Sequence, residues 1–302
     1  MKILVLGSQG FIGSHLVASF IDGGHTVTGC DLIEASVSKY RYQKMSILSA
    51  DFDTLFSDGK FDVCVNASGS GNVAYSMSHP IFDFEANTYA VAKVLDTIRK
   101  HQPLCKYVHI SSAAVYGNPN QLPIKEDDIL SPVSAYGYHK VMSEQICKEY
   151  SNLYNIPVAI IRPFSVYGKG LRKQLLWDVC TKLAAADGIK LWGTGNESRD
   201  FIHINDMVAL INIIIEKCNF KCNVYNAATG TETTIREVAD IFEKYYNGSK
   251  TIGFSGEEKK GDPINWRASV DNAIALGFAP KITMENAVTD YISWYHQLTN
   301  EQ

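Results

Sequence analysis

The stretch Gly7-Ser8-Gln9-Gly10-Phe11-Ile12-Gly13 decides the fold. The apolar run from Lys2 to Leu6 precedes it, and the segment from Gly13 to Asp22, with apolar residues at helical spacing, follows it. A glycine-rich turn between a strand and a helix is typical of dinucleotide-binding βαβ units, because the backbone can approach the pyrophosphate and the helix N-terminus supplies N–H donors. We predict a dinucleotide site here, with a turn that binds no ligand as the alternative. The residues expected to contact the dinucleotide are Gly7, Gly10, Phe11, Ile12 and Gly13.

The first 165 residues alternate β-branched apolar runs with segments of helical periodicity. Runs that are apolar almost throughout indicate strands buried on both faces, as in a parallel sheet covered by helices. We therefore predict an α/β protein with a Rossmann-type doubly wound parallel sheet. The predicted strands are Lys2 to Leu6, Thr26 to Asp31, Val63 to Ala67, Tyr107 to Ser111 and Val158 to Arg162. The predicted helices are Gly13 to Asp22, Phe82 to Lys100 and Tyr136 to Tyr154.

The pattern loosens after Arg162, where Gly, Pro and charged residues separate two helical stretches, Leu175 to Ala186 and Ile235 to Tyr246. The segments Asp206 to Glu216 and Asn223 to Ala227 have the pattern of one more helix and strand of the first sheet. We therefore predict two domains that are interleaved in sequence. Residues 1–165 and about 205–228 would form the dinucleotide-binding domain, and residues 166–204 and 229–302 a smaller, loop-rich C-terminal lobe.

The composition excludes several classes of partner. The 302 residues are 46% hydrophobic and 20% charged, and Lys+Arg 28 against Asp+Glu 32 gives a net charge of -4, so we expect neither nucleic acid nor a membrane surface as a partner. No segment approaches the ~18 apolar residues of a membrane span. Seven scattered cysteines without an export signal favour reduced thiols in the cytoplasm. Cys218 and Cys222 are a close pair without a second Cys/His pair, so we expect no metal site.

Asp31 ends the second predicted strand, about 20 residues beyond the glycine turn, where an acid accepts hydrogen bonds from the adenosine ribose. Its charge would repel a 2′-phosphate, so NAD is favoured over NADP. Lys39 or Arg41 would reverse this preference if the loop folded back over the ribose. Asp51 and Phe52, after the next strand-like run, are predicted near the adenine, although Asp51 could equally be a solvated loop acid.

Ser112 follows a strand, and Tyr136 and Lys140 lie four residues apart near the start of a predicted helix, so both can reach one site. A phenol with a pKa near 10 is a poor base. One ammonium at ~4 Å and an effective dielectric of ~20 contributes about 4 kcal/mol, or roughly three pKa units. Alone, such a pair is most often a surface pair. Beside a dinucleotide turn it predicts an acid/base catalyst.

These residues, together with Asn66-Ala67-Ser68-Gly69, Arg162-Pro163-Phe164 and Arg199-Asp200-Phe201-Ile202-His203, resemble the extended short-chain dehydrogenase/reductases that act on nucleotide sugars. The resemblance implies Tyr136 as the acid/base, Lys140 on the nicotinamide ribose and Ser112 on the reacting oxygen. It also implies a nucleoside-diphosphate sugar in the C-terminal lobe. The further residues implied for the cofactor are Asn66, Ala67, Ser68, Asn87 and Pro163. Those implied for the substrate are Ser112 and Arg199. Further candidates for substrate contacts are Ser165, Arg172, Lys259 and Arg267, although Arg172 and Arg267 could equally be solvated loop residues.

Departures from subfamily patterns narrow the chemistry. Ala113 and Ala114 stand where sugar 4,6-dehydratases carry an Asp-Glu pair, so dehydration is disfavoured. Hydride and proton transfer at C4 remains, with a 4-epimerase as the first choice and a 4-ketoreductase or a 4-dehydrogenase as alternatives. A dinucleotide-sensing protein without activity is a rival of another class, but it has no need for Ser112, Tyr136 and Lys140. Ser165 and the Lys259-Lys260 pair differ from UDP-sugar epimerases, so the nucleotide and the sugar stay open.

The helices Phe82 to Lys100 and Tyr136 to Tyr154 carry apolar residues on more than one face. This is more than packing on one sheet requires. In related enzymes the equivalent helices form an intersubunit four-helix bundle, so we expect a homodimer. The residues that led to this expectation are Tyr89, Val91, Val94, Leu95, Met142, Ile146 and Tyr150.

Overall fold

A seven-stranded parallel sheet forms the centre of the computed structural model, which describes residues 1–35, 37, 39–257 and 265–300. Its strand order is β10-β6-β5-β4-β1-β2-β3. The chain therefore winds outward from β1 in both directions, and the predicted doubly wound Rossmann-type sheet is confirmed. The strands are β1 (Lys2–Leu6), β2 (Thr26–Asp31), β3 (Arg41–Lys44), β4 (Val63–Asn66), β5 (Lys106–Ile110), β6 (Val158–Pro163) and β10 (Lys221–Ala227).

Helices cover both faces of this sheet. Because successive side chains of β1 point to opposite faces, Ile3 and Val5 pack in one core, whereas Leu4 and Leu6 pack in another. The first core lies under α1 (Phe11–Asp22) and α8 (Ile204–Lys217). The second lies under three further helices, α2 (Phe52–Gly59), α5 (Ala90–His101) and α6 (Ala135–Tyr154). Two shorter helices, α3 (Val73–Ser78) and α4 (Pro80–Phe84), follow β4.

A third apolar core is formed by residues that follow β6. It contains two small sheets, of strand order β11-β9-β7 and β12-β8, packed against helices. The strands are β7 (Ser165–Tyr167), β8 (Gly188–Leu191), β9 (Ser198–His203), β11 (Glu232–Thr234) and β12 (Thr251–Phe254). The helices are α7 (Gln174–Ala185), α9 (Ile235–Tyr245) and α11 (Met284–Asn300), whereas Ala273 of α10 (Asp271–Ala275) packs in the first core.

Several elements differ from the sequence-based expectation, since α2, α3, α10 and α11 were not predicted. The predicted helix from Phe82 to Lys100 is interrupted by a π-helical segment, Glu85–Tyr89, between α4 and α5. The edge strand β3 was not predicted, because its residues, Arg41 to Lys44, are polar and mostly exposed. β10 pairs in parallel with β6, so a late segment does join the first sheet. Within the described residues no helix is long and apolar enough to cross a membrane.

Candidate active site

The glycine turn joins β1 to α1 at the carboxyl edge of the sheet. Gly7 has a φ of +79°, and a Cβ there would lie 2.7 Å from the Ala67 carbonyl oxygen. A Cβ on Gly13 would lie 2.0 Å from the Gly7 oxygen, so helix and turn touch through backbone. A Cβ on Gly10 would meet only the Gly7 oxygen, at 3.3 Å. The open approach to Gly10, the N-cap of α1, fits a pyrophosphate at the N-terminal N–H groups of that helix.

Asp31, at the end of β2, is fixed by the turn itself. Its Oδ2 accepts a hydrogen bond from the Gln9 N–H at 2.9 Å, and its Oδ1 accepts one from Leu32 N–H at 2.7 Å. The carboxylate is therefore held beside the dinucleotide turn, where an adenosine ribose would lie. The cation in register with Asp31 is Lys44, and it is paired with Glu34 at 2.6 Å. Arg41, by contrast, lies opposite Thr28, further from the sheet edge.

The loop after β4 adds polar groups to the same edge. Asn66 donates to the Tyr107 hydroxyl at 2.8 Å, and its oxygen accepts from the Ser68 N–H at 3.1 Å. Asn87, in the π-helical segment, donates to the Ser70 carbonyl at 3.0 Å. Its buried Oδ1 accepts no hydrogen bond within the described structure. An unpaired buried acceptor at this position fits a bound dinucleotide, which would supply the donor.

Ser112, Tyr136 and Lys140 come together beyond the end of β5. Ser112 is hydrogen-bonded to the Tyr136 side chain and also caps the short 3₁₀ turn Ala113–Val115. Tyr136 and Lys140 are only 9% and 4% exposed. The Lys140 Nζ donates to the Ile110 carbonyl at 3.0 Å and lies 5.8 Å from the centroid of the Tyr136 ring. The structure thus places the three expected residues in one site.

Burial dominates the titration of these groups. Desolvation raises the pKa of Tyr136 above its ordinary value of 10.0, although the hydrogen bond from Ser112 lowers it. Desolvation also lowers the pKa of Lys140 to about 8, against the opposing effect of Asp83. The expected lowering of the tyrosine pKa by Lys140 is therefore not found in the protein alone, where burial and the charge of Asp83 raise that pKa. A positively charged nicotinamide ring would act in the lowering direction.

The two residues predicted near the adenine have clear structural roles. Asp51 is the N-cap of α2, where its Oδ1 accepts from the Thr54 N–H at 3.1 Å and its Oδ2 from the Thr54 hydroxyl at 2.7 Å. These bonds lower the pKa of Asp51. Phe52 is buried in the core under α2. Pro163 ends β6 at the same sheet edge.

Asp200 connects two of the residues implied for the substrate. Its buried carboxylate accepts hydrogen bonds from the N–H groups of Thr229 (2.7 Å), Gly230 (2.9 Å) and Ala268 (3.1 Å). These bonds join the backbone segment that carries Arg199, next to Asp200, to the segment that carries Arg267, next to Ala268. The Arg199 guanidinium lies 5.7 Å from the Trp266 ring centroid. Asp200 lies in the Arg199-Asp200-Phe201-Ile202-His203 motif, but its role in connecting these segments could not be predicted from the sequence.

The other residues implied for the substrate are more dispersed. Ser165 begins β7 and is partly buried. Arg172 is exposed in the loop before α7. Lys173, beside it, reaches toward the loop after β4, because its Nζ lies 4.0 Å from the position of a Cβ on Gly71. Lys259 and Lys260 lie outside the described residues.

A buried ionic network supports the strand ends beneath this site and was not expected from the sequence. Glu144 of α6 accepts from the Arg162 Nε at 3.0 Å and Nη2 at 2.7 Å, and from the Ser111 hydroxyl at 2.6 Å. Arg162 also donates to the Tyr116 hydroxyl at 2.7 Å, which in turn donates to Asn226 at 2.7 Å. The network therefore joins β5, β6, β10 and α6 directly behind Ser112.

The family model of the NAD dependent epimerase/dehydratase family matches residues 3–228, a range that includes the glycine turn, Asp31 and the Ser112, Tyr136 and Lys140 cluster. The chain belongs to this family. The expected resemblance is thus confirmed, and NAD is the cofactor of the family by its description. In the described part of this family member, no three His, Cys, Asp or Glu side chains group as metal ligands.

Several known proteins are similar to this family member over almost the whole length of its chain. A UDP-glucose 4-epimerase of Mycolicibacterium smegmatis is 27% identical and is covered over 98% of each chain. A UDP-glucose 4-epimerase of Pisum sativum is 26% identical over 97% of this chain and 95% of its own. The solved structure of UDP-glucuronic acid 4-epimerase from Bacillus cereus, in complex with UDP-glucuronic acid and NAD, has a TM-score of 0.90. It is 24% identical and is covered over 99% of this chain and 100% of its own.

Proposed function

We propose that this protein is an NAD-dependent nucleotide-sugar 4-epimerase. The observation that carries the proposal is the convergence of Ser112, Tyr136 and Lys140 beyond β5, at the same sheet edge as the glycine turn. Ala113 and Ala114 follow Ser112 without the acids that elimination of water would need. The similarity to UDP-sugar 4-epimerases over nearly the whole chain supports the same reaction.

Tyr136, Ser112 and Lys140 have different roles in the reaction at C4 of the sugar. Tyr136 takes the proton of the 4-hydroxyl. A bound NAD would supply the hydride acceptor for C4 and the hydride donor for the reverse step, so that a 4-ketone lies between the two. Ser112 donates a hydrogen bond to the reacting oxygen, and Lys140 holds the nicotinamide ribose. After the keto sugar has rotated in the site to present the other face of C4, Tyr136 returns the proton to the C4 oxygen. The sum is an inversion at C4 with no net oxidation.

We propose a UDP-sugar as the substrate, held by residues 166–204 and 229–302. Arg199 and Arg267, on two segments that the Asp200 carboxylate joins, would bind the diphosphate, because guanidinium groups bind phosphate oxygens in bidentate fashion. Ser165 and Arg172 would face the sugar. Residues 1–165 and about 205–228 would hold NAD, with Gly7 to Gly13, Asp31, Asn66 to Ser68, Asn87 and Pro163 as contacts and Asp51 and Phe52 near the adenine.

A product assay tests the proposed reaction. The purified protein is denatured to identify any released dinucleotide, and the native protein is then incubated with UDP-glucose, UDP-glucuronic acid, UDP-N-acetylglucosamine and GDP-, dTDP- and CDP-hexoses. We expect C4 epimers of one or more UDP-sugars without net NADH formation. A 4-keto sugar that accumulates with NADH would indicate a dehydrogenase instead. No conversion of any nucleotide sugar would overturn the proposal.

The cofactor preference gives a direct prediction. In NADP, a 2′-phosphate beside Asp31 would prevent the ribose from donating hydrogen bonds to this carboxylate. Each hydrogen bond to a charged group contributes ~1.5 kcal/mol or more, so we expect at least about a tenfold preference for NAD over NADP. Asp31→Ala should lower the ratio of NAD affinity to NADP affinity, mainly by weakening the binding of NAD. Isothermal titration of both cofactors measures it, with Asp58→Ala, an exposed acid of α2, as the control. Equal affinities in the unmodified protein would mean that a cation such as Lys44 reaches the ribose.

We also propose a homodimer in the cytoplasm, where the seven cysteines, all free in the structure, would stay reduced. Val91, Val94 and Leu95 pack against the sheet and are buried, so they add nothing to an exposed face. Around them, however, α4, the π-helical segment and α6 expose Phe82, Tyr89, Tyr138 and Met142. These exposed apolar residues on adjacent helices support a bundle between two subunits.

Light scattering at micromolar concentration tests the dimer. We expect twice the monomer mass for the unmodified protein. Met142→Glu should give the monomer, because it would bury a charge in the interface without a partner. Leu104→Glu, at an exposed apolar residue before β5, is the matched control and should leave the dimer intact. A monomer mass for the unmodified protein would contradict the proposal.

A further inference from the structure

A buried Asp-His pair lies directly behind the catalytic residues and has no part in the reaction described above. Asp83 of α4 has no exposed surface, and His139 of α6 lies one residue before Lys140. The His139 Nδ1 donates to Asp83 Oδ2 at 2.6 Å. A buried carboxylate is costly unless hydrogen bonds satisfy its oxygens, so a pair retained here calls for a reason beyond packing.

The second carboxylate oxygen of Asp83 fixes the orientation of an amide that faces the cofactor. The Asn87 Nδ2 donates to Asp83 Oδ1 at 3.1 Å and to the Ser70 carbonyl at 3.0 Å, so both of its hydrogens are used. The amide cannot flip without placing its oxygen against two acceptors. Oδ1 therefore points to the loop after β4, 2.5 Å from the position of a Cβ on Gly69, and it has no donor among the described residues.

The same carboxylate acts on the catalytic residues through its charge. It raises the pKa of Lys140, against the larger opposing effect of burial. Glu144 acts in the same direction, but its charge is already paired with Arg162. A hydrogen bond from the Thr88 hydroxyl to the His139 carbonyl at 2.9 Å ties the two helices together at this point. The charged or titratable groups that interact with Lys140 among the described residues are Asp83, Glu144, Cys147, His109 and Tyr136.

We propose that Asp83 and His139 are positioning residues for the cofactor site. The carboxylate holds the Asn87 amide with its oxygen toward the dinucleotide and places a negative charge near the Lys140 ammonium, and His139 holds the carboxylate in place. The proposal rests on the proposed function only in that NAD binds at this edge of the sheet. NAD titration therefore tests it, whereas the nucleotide-sugar assay tests the reaction, and either can fail without the other.

Asp83→Asn tests the carboxylate. An asparagine has only one side-chain oxygen, so it cannot accept hydrogen bonds from both Asn87 and His139. We expect the NAD affinity of the variant to be about tenfold weaker at pH 7, which is the effect of losing one hydrogen bond to a charged group. The pH profile gives a second readout. The Lys140 ammonium is present below its pKa of about 8 and is lost as the pH rises through it. Without the negative charge, NAD affinity should begin to fall at a lower pH.

Glu85→Gln is the matched control, since Glu85 is an exposed acid two residues from Asp83. It should leave both the NAD affinity and its pH profile unchanged. An Asp83→Asn protein with native circular dichroism, unchanged NAD affinity and an unchanged pH profile would overturn the proposal. So would an equal shift in Glu85→Gln, because it would indicate a general charge effect.

Two replacements of His139 keep the proposal testable if Asp83→Asn does not fold. Asparagine places its Nδ2 close to the position of the histidine Nδ1 and cannot titrate, whereas leucine removes the donor. We expect His139→Asn to bind NAD within about twofold of the unmodified protein and His139→Leu about tenfold more weakly. His139→Asn should also keep the alkaline fall in affinity at its original pH. Equal affinities of the Asn and Leu variants would contradict the role of His139.

Discussion

Tyr136→Phe is expected to lower kcat for C4 epimerisation by ~10²–10⁴-fold, the contribution of a positioned acid/base. The buried hydroxyl of Tyr136, hydrogen-bonded to Ser112, is the group assigned to move the proton. Lys140 is not placed to replace it, because its Nζ donates to the Ile110 carbonyl on the strand side. The phenyl ring of the variant fills the same space, so the cofactor site should survive.

The measurement is the rate of epimer formation together with the affinity for NAD. Tyr138→Phe is the matched control, since Tyr138 lies two residues away on α6 but is exposed. It should keep the activity of the unmodified protein. A Tyr136→Phe protein with more than about a tenth of the original activity would show that another group moves the proton.

Glu144→Ala is expected to destabilise the fold by ~3–5 kcal/mol, because it leaves the Arg162 guanidinium buried without its anion. Arg162 is 2% exposed, and two of its three nitrogens donate to Glu144. The truncation also removes the acceptor of the Ser111 hydroxyl, next to Ser112. We therefore expect activity to fall together with stability, although neither Glu144 nor Arg162 is assigned to touch the substrate.

Urea denaturation of the two proteins measures this effect. Asp178→Ala removes an exposed partner of Lys182, one helical turn away on α7, and should change the free energy of unfolding by no more than ~0.5 kcal/mol. A Glu144→Ala protein as stable as Asp178→Ala would mean that solvent reaches Arg162 and that the network contributes little.

The sequence predicted those parts of the fold that depend on local patterns. β1 and β2 have their predicted bounds, because β1 is an apolar run that stops at Gly7 and β2 is rich in β-branched residues and ends in the acid Asp31. β3 was missed because an edge strand with polar, exposed residues lacks both alternation and hydrophobicity. The π-helical segment around Asn87 was missed for another reason, since the apolar periodicity continues on both sides of it.

In the candidate site, too, some residues could be predicted from the sequence and others could not. Ser112, Tyr136 and Lys140 could be predicted because their spacing relative to a strand end and along one helix brings them together. Asp83 and His139 could not, since His139 is one more polar residue in a helix until the fold places it against a buried carboxylate. The hydrogen bonds of Asp200 likewise join three separate segments of the chain.

β10 is translated well after β6, the strand with which it pairs, and this order has a consequence for biosynthesis. Nascent chains generally fold from the N-terminus as they leave the ribosome. Here β6 stays without its outer neighbour until Lys221–Ala227 has been translated. A polypeptide released before that point exposes β6, which is buried throughout in the folded protein, as an unpaired edge, a surface that recruits other strands. Premature termination between these two strands should therefore yield an aggregating product, and chaperones would have to shield the growing chain across this interval.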